Sequence, residues 1–481
     1  MVYDAFIVAW TFPGIIRRFV ADEGLTGALM PAIGKAEVES KEEARLLAGQ
    51  ALTALMIACF VISGIGILAA PFLVELVASG FEGEKLELTI SLSQFLFPFV
   101  FFVSVVSWIE TLVNHRGHFF WPKAAPAAIS VMVVGAAFLL KSESDIETIW
   151  AVSYATMVGG LVHMLICFPA LMKLWGFIQP QFRGFSNPRF QHLLKEMGKV
   201  FLIGIAAKIN ILVLRFLASQ LEEGAVTWYW NSTRLVDFAQ GIIAVGIGSA
   251  LLPKIVDAVS NRDGEGFRGS FSEASQLAGA ILIPVAAFLA FFAEPFVAVL
   301  LRHGNYGWND VQKTAAALQF LTPFMLAVGG INIIKKPFFA IDRRDVLLGV
   351  GVAGVLLTYL LGIWLCPLYG VNGLAAALSI STTIQLIVYM LIVRGLIEGG
   401  LGLSKLVLFF SKIALATIPA VLFGQLLTNL GDWESGFGIR NIAVLTAIAM
   451  IGGVSYSVSA LVLKIPEVQT IVRKFRRKLK I

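Results

Sequence analysis

Long apolar runs separated by short polar breaks occupy this chain from end to end. They fall at 4–20 continuing to 33, then at 46–78, 88–114, 122–141, 150–174, 197–219, 225–256, 272–301, 311–334, 346–366, 371–393, 405–430 and 440–463. A helix that crosses a bilayer needs roughly 20 mostly apolar residues, and a helix satisfies its own backbone where no water is present. The pattern therefore predicts an all-α, polytopic membrane protein of about 13 transmembrane helices. Composition agrees: 58% of residues are hydrophobic, 14% are charged and the mean hydropathy is +0.83. That is more apolar surface than a water-soluble fold of ordinary composition carries.

The polar breaks differ in charge on the two sides. When connections are assigned alternately, one side receives 26 basic residues, among them Lys35, Arg116, Arg189, Lys335, Arg343 and the tail Lys464–Lys480, and the other receives 5. Basic loops stay in the cytoplasm, so the first side and the C-terminus are placed inside. An odd number of spans then puts Met1 outside without a basic flank or signal peptide to carry it there. The expectation is a further helix upstream, Met1 being an internal methionine or a cut; a short N-terminus exported directly is the alternative. The net charge of +6 resides in short loops, where orientation explains it better than nucleic-acid binding does. Cys59, Cys167 and Cys366 each lie in or beside an apolar run with no second cysteine nearby. This fits neither a disulfide framework nor a zinc site, and they are given no function.

Three short patterns recur in order. Ala28-Leu29-Met30-Pro31 returns as Ala250-Leu251-Leu252-Pro253, Pro71-Phe72 as Pro295-Phe296, and Gln94-Phe95-Leu96-Phe97-Pro98-Phe99 as Gln319-Phe320-Leu321-Thr322-Pro323-Phe324. The proline offsets are 222, 224 and 225 residues, which is six spans. An even repeat points both copies the same way through the membrane. Two parallel six-helix-type lobes around a central cavity are expected, with two C-terminal helices added, an architecture suited to alternating access. A duplicated bundle with no transport role is the competing reading.

Ionisable residues inside spans cost at least ~2.5–3.5 kcal/mol at the helix centre, so each needs a reason. Arg17 and Arg18 follow Thr11-Phe12-Pro13-Gly14, where the proline is expected to break or kink the helix. Asn231, Arg234 and Asp237 are three apart and form one polar stripe on an apolar helix; Lys208 and Arg215 are seven apart on another. The functional reading is a cationic cavity for an anionic headgroup, since guanidinium pairs bidentately with phosphate oxygens. The plain reading is internal ion pairs with Asp22, Glu23 or Asp237, or side chains that snorkel to an interface. Asp4 and Glu110 could relay protons or bind a cation, but acids near helix ends are ordinarily solvated. His115 and His118 have a spacing that could hold a metal, yet no acid or thiol is adjacent, and they read as loop residues. No P-loop, H-E-x-x-H or G-x-S-x-G is present, so the chain reads as neither a nucleotide hydrolase nor a familiar hydrolase. No cofactor or metal is expected, and an ion gradient or the membrane potential is left as the energy source.

Asp4-Ala5-Phe6, Phe12-Pro13, Ile16-Arg17-Arg18-Phe19, Glu23-Gly24, Pro31, Arg234-Leu235 and Gly248-Ser249-Ala250-Leu251-Leu252-Pro253 together resemble the MurJ/MviN lipid II flippases of the multidrug/oligosaccharidyl-lipid/polysaccharide exporter superfamily. The resemblance extends over nearly the whole chain. It implies fourteen helices with both termini cytoplasmic, so that the chain looks like one beginning after the family's first helix. It also implies a cationic cavity for a diphosphate-sugar headgroup, with Arg17 and Arg234 matching cavity arginines and Asp4 and Glu23 matching family acids. On this reading 1–175 is the N-terminal lobe, 176–196 a basic cytoplasmic linker, 197–395 the C-terminal lobe, 396–464 two extra helices with a lipid-tail groove, and 465–481 a basic tail. Arg18, Asn231 and Asp237 complete the candidate substrate-binding set. Lys208 departs from the family, whose members more often carry an uncharged polar residue there. The implied function is a lipid II flippase of the bacterial inner membrane, with membrane lipids and cell-wall synthesis proteins as further partners and no nucleic acid. Rival readings are an exporter of another polyprenyl-linked oligosaccharide, a cation-coupled drug antiporter, a membrane glycosyltransferase and a scaffold of cell-wall assembly.

Overall fold

The structure is a computed structural model that describes residues 2–17, 25–140, 142, 144–182, 187–248, 255, 257–259, 261, 263–341, 343–396 and 401–465. Among these residues the regular secondary structure is helical. In chain order the helices are α1 (Val2–Arg17), α2 (Leu25–Glu39), α3 (Lys41–Val77), α4 (Gly83–Leu96), α5 (Phe99–His115), α6 (Phe120–Ala124), α7 (Ala127–Leu139) and α8 (Asp145–Trp175). They continue as α9 (Pro188–Ser219), α10 (Ala225–Gly248), α11 (Gly264–Phe291), α12 (Ala293–Leu301), α13 (Trp308–Ala340), α14 (Arg344–Leu396), α15 (Leu403–Thr428) and α16 (Ile439–Val462). Nine helical segments among the described residues are long and apolar enough to cross a membrane. α1 is a shorter apolar helix, and two predicted spans share the segment Asp345–Gly395. That segment is two helices meeting at Gly370, whose φ of 56° and ψ of −133° suit a residue without Cβ.

Local chemistry explains where helices start. Ser40 caps α3 by accepting the Glu43 N–H at 3.0 Å, the first half of an S-x-x-E capping signal. Asn187 caps α9 ahead of Pro188 in the first turn, and Asp263 caps α11 through the Gly266 N–H at 2.8 Å, as side-chain oxygens do for orphan amides.

The chain divides into two compact units, Met1–Val226 and Thr227–Ile481. In the first, α5 is central. The Trp108 indole donates to the Ala48 carbonyl of α3 at 3.0 Å, and the Trp175 indole of α8 donates to the Leu112 carbonyl of α5 at 2.9 Å. α9 packs on α2 and α3 in this unit. In the second unit α13 packs on α11 and α14, and α15 on α11 and α16; Tyr456 of α16 donates to the Ala280 carbonyl of α11 at 2.7 Å.

Prolines inside helices leave the carbonyl four residues earlier without its usual donor, and side chains answer several of them. The Ile67 carbonyl, freed by Pro71, accepts from Gln94 Nε2 at 3.2 Å. The Phe291 carbonyl, at the C-terminal end of α11 and just before Pro295, accepts from Gln425 Nε2 at 3.4 Å, and Gln319 takes the adjacent Ala290 carbonyl at 2.9 Å. Gln94 and Gln319 are the repeated glutamines of the sequence, so the two copies share a chemical device as well as letters. The Gln319 carbonyl, freed by Pro323, accepts from the Thr322 hydroxyl at 2.8 Å. Of the break or kink expected at Pro13, the break does not occur, because α1 runs through the proline to Arg17; an apolar environment favours keeping the remaining backbone bonds.

The turn after α3 approaches α9 closely. The Gly80 N–H faces Ser219 Oγ at 3.4 Å, and a Cβ on Gly80 would lie 2.1 Å from the Ser219 carbonyl oxygen and 2.8 Å from Gln220 Cα. Backbone atoms cannot rotate aside. Gly80→Ala is expected to destabilise the first unit by about 1–3 kcal/mol, read as a lower thermal midpoint of the purified protein. Gly135→Ala, with nothing within 4 Å of the added atom, leaves the midpoint unchanged.

Candidate functional site

The polar stripe on α10 survives as a face. Trp228, Ser232, Val236 and Ala239 are buried, whereas Arg234, Asp237 and Phe238 are exposed and Asn231 is half-buried. The buried side is pinned to α13: the Trp228 indole donates to Asp310 Oδ1 at 2.8 Å, and the Ser232 hydroxyl lies 2.8 Å from the Thr314 carbonyl. Holding that face fixes the rotation of the helix, so Arg234 points away from α13. The guanidinium stacks 4.0 Å from the Trp230 ring and meets Asp237 at 3.9 Å with 44% of its side chain exposed. A pair this long and this open is a weak tether. The cation–π contact orients the planar group.

The first unit spends its charges differently. Asp4, read from sequence as a solvated acid, is buried with a side-chain exposure of 2% and pairs with Lys85 Nζ at 2.9 Å. It also accepts the Gly224 N–H at 3.0 Å. Lys85 lies over the Phe81 ring at 4.0 Å. Lys85 lies in the first turn of α4, and no local pattern links residues 81 positions apart. Arg215 is 3% exposed, and its Nε donates to Thr11 Oγ1 at 3.3 Å, so it ties α9 to α1. Arg17 is the last described residue of α1, and Lys208 lies within α9. Arg18 and Glu23 lie outside the described residues, as does the repeated block Ala250–Pro253.

His115 is the last residue of α5 and not a loop residue: its Nε2 lies 2.8 Å from Glu37 Oε2 of α2. Arg116 reaches the other oxygen at 2.6 Å. Burial raises the Glu37 carboxyl, but the His115 hydrogen bond and the Arg116 charge outweigh it and hold the group below the usual carboxylate range. His118 turns instead to the Arg116 carbonyl at 3.0 Å, so the two histidines form no metal pair. A pocket of about 460 Å³ where α2 meets α9 is lined by Lys35, Glu39, Arg189, His192 and Glu196; it holds none of the predicted site residues. In the second unit an apolar groove between α11, α15 and α16 is lined by Pro284, Phe288, Thr417, Ala420, Ile448 and Tyr456.

The model of the lipid II flippase MurJ family covers residues 1–444. The chain belongs to that family. A probable lipid II flippase MurJ of Buchnera aphidicola subsp. Schizaphis graminum is 23% identical over 468 residues, 95% of this chain and 90% of the relative. The lipid II flippase MurJ of Burkholderia cenocepacia is 27% identical over 401 residues, 81% and 77% of the two chains. Among solved structures, a lipid II flippase MurJ in an inward closed conformation superposes with a TM-score of 0.78 at 18% identity, covering 100% of this chain and 94% of that one. An inward-facing multidrug resistance MATE family transporter of the MOP superfamily gives 0.65 at 19% identity, covering 82% and 93%. At such identities the superpositions establish the fold and nothing finer. The chain is thus a polytopic membrane protein of a flippase family.

The Asp4–Lys85 pair carries an expected outcome. Asp4→Asn leaves a lysine charge largely enclosed and destabilises the protein by about 3 kcal/mol or more, as breaking a buried pair does. The double variant Asp4→Asn/Lys85→Met recovers most of the loss, which a thermal denaturation series measures directly.

Proposed function

We propose that this chain moves lipid-linked peptidoglycan precursor from the cytoplasmic to the outer leaflet of the bacterial inner membrane by alternating access, with its C-terminus in the cytoplasm. Membership of the flippase family supports the substrate class. The observation that carries the chemistry is Arg234: a guanidinium exposed on an apolar helix and stacked on the Trp230 ring, with Asp237 at 3.9 Å. Such a group suits a diphosphate, whose oxygens take two parallel N–H bonds from one planar fork. Arg17 and Arg18 supply further positive charge, and Asn231 hydrogen-bonds the saccharide from the same stripe as Arg234. Asp237 holds the guanidinium between turnovers, and Glu23 balances the arginine charge. Asp4 serves the site by fixing α1 to α4 and to Gly224.

The polar headgroup crosses while the polyprenyl tail stays in apolar surroundings, and the groove between α11, α15 and α16 suits such a chain. The repeat supports the division into lobes 1–175 and 197–395, a linker at 176–196, two added helices at 396–464 and a basic tail at 465–481. Transport on this scheme makes and breaks no covalent bond.

Arg17→Ala and Arg234→Ala are each expected to abolish growth support in a cell depleted of its own flippase, while both variants still insert. Loss of one charge-assisted phosphate contact is worth about 1.5–3 kcal/mol, or at least tenfold in headgroup affinity. Normal growth with both residues changed would refute the proposal.

A further inference from the structure

Three donor-bearing side chains of different chemistry converge inside the first unit, apart from any residue assigned above. His163 and Cys167 stand four apart on α8 and share a face, and Glu110 faces them from α5. One ligand atom from each lies within 4.8 Å of the other two. His163 is 3% exposed and Cys167 1%. The carboxylate Oε1 is 3.7 Å from His163 Nε2, too far for a hydrogen bond. Neither ring nitrogen of His163 has a hydrogen-bond partner among the described residues. A buried imidazole with two unanswered nitrogens, aimed at a carboxylate and a thiol, needs a further group between them.

We propose that Glu110, His163 and Cys167 bind one zinc-class divalent transition-metal ion that clamps α5 to α8. Thiolate, imidazole and carboxylate are the donors zinc takes, at about 2.0–2.3 Å each, and a thiolate argues against magnesium or calcium. Those bond lengths bring tetrahedral donors to roughly 3.3–3.8 Å apart. Rotation of the Glu110 side chain, which is 26% exposed, closes the remaining distance and gives the ion a way in. One coordination position stays open for water. Charge balance suits the surroundings: thiolate and carboxylate cancel the two positive charges while the imidazole stays neutral, so the assembled site carries no net charge into the apolar interior. Binding releases the thiol proton of Cys167, and occupancy is expected to fall as the medium is acidified.

The site joins helices of a single unit and is independent of the transport reading. It is tested by titrating cobalt(II) into the purified, tag-free full chain in detergent and following the thiolate-to-metal charge-transfer band, with zinc displacing it. The expected result is one ion per chain, with the band lost in Cys167→Ser and retained in Cys59→Ser and Cys366→Ser. His163→Gln is expected to weaken zinc binding by more than the roughly 10–100-fold that loss of a residue merely supporting a metal ligand costs. Zinc should also raise the thermal midpoint of the unaltered chain but not that of His163→Gln. No band and no stoichiometric zinc in the unaltered chain would overturn the proposal whether or not the variants fold. A band that persists in Cys167→Ser would overturn it equally.

Discussion

Hydrocarbon offers no hydrogen bonds, so every polar atom carried into it must be answered by the chain itself. The constraint explains more than the dominance of helices. It accounts for the glutamines and the threonine set against helix carbonyls that lack their usual donor: Gln94 at Ile67, Gln425 at Phe291 and Thr322 at Gln319. The first and last stand four residues before a proline, and the second at a helix end. It also accounts for the indole donors of Trp108 and Trp175, which end on backbone carbonyls of neighbouring helices.

Charges obey the same rule at higher stakes. Asp4 and Lys85 neutralise each other and borrow a backbone N–H from Gly224; Arg215 reaches back to Thr11. Against that background the α10 stripe stands out. Its buried face is fixed by Trp228 and Ser232, and its opposite face keeps Arg234 half-open with a partner at 3.9 Å. That exposed guanidinium is the group the proposed function assigns to an anionic headgroup.

Much of this was legible in the sequence, and the limits have clear causes. Apolar runs locate helices because a segment crossing hydrocarbon must be apolar along its length whether it meets protein or lipid. The pair of runs flanking Gly370 was correctly divided, since a glycine beyond Pro367 interrupts the pattern. The i, i+3, i+6 spacing of Asn231, Arg234 and Asp237 identified a face because helical geometry is local. Asp4 was misjudged because its partner is 81 residues away, and nothing in either neighbourhood announces the other. Pro13 is read as a break or a kink because proline removes one backbone donor; α1 is unbroken to Arg17 because the remaining bonds hold the helix together. Cys167 is given no function in the sequence for want of a second cysteine nearby; its proximity to His163 and Glu110 shows only in the fold, because Glu110 comes from a different helix. Local periodicity reads faces, and only the fold reads meetings between them.

The most direct measurement follows a fluorescent polyprenyl-diphosphate-linked saccharide in vesicles containing the purified chain under an imposed membrane potential. A membrane-impermeant quencher added outside reports which leaflet holds the label. The account predicts that inner-leaflet label becomes accessible with the unaltered chain and stays protected when Arg234 is alanine. Inner-leaflet label that stays as protected as in protein-free vesicles, or equal exposure with and without Arg234, would contradict it.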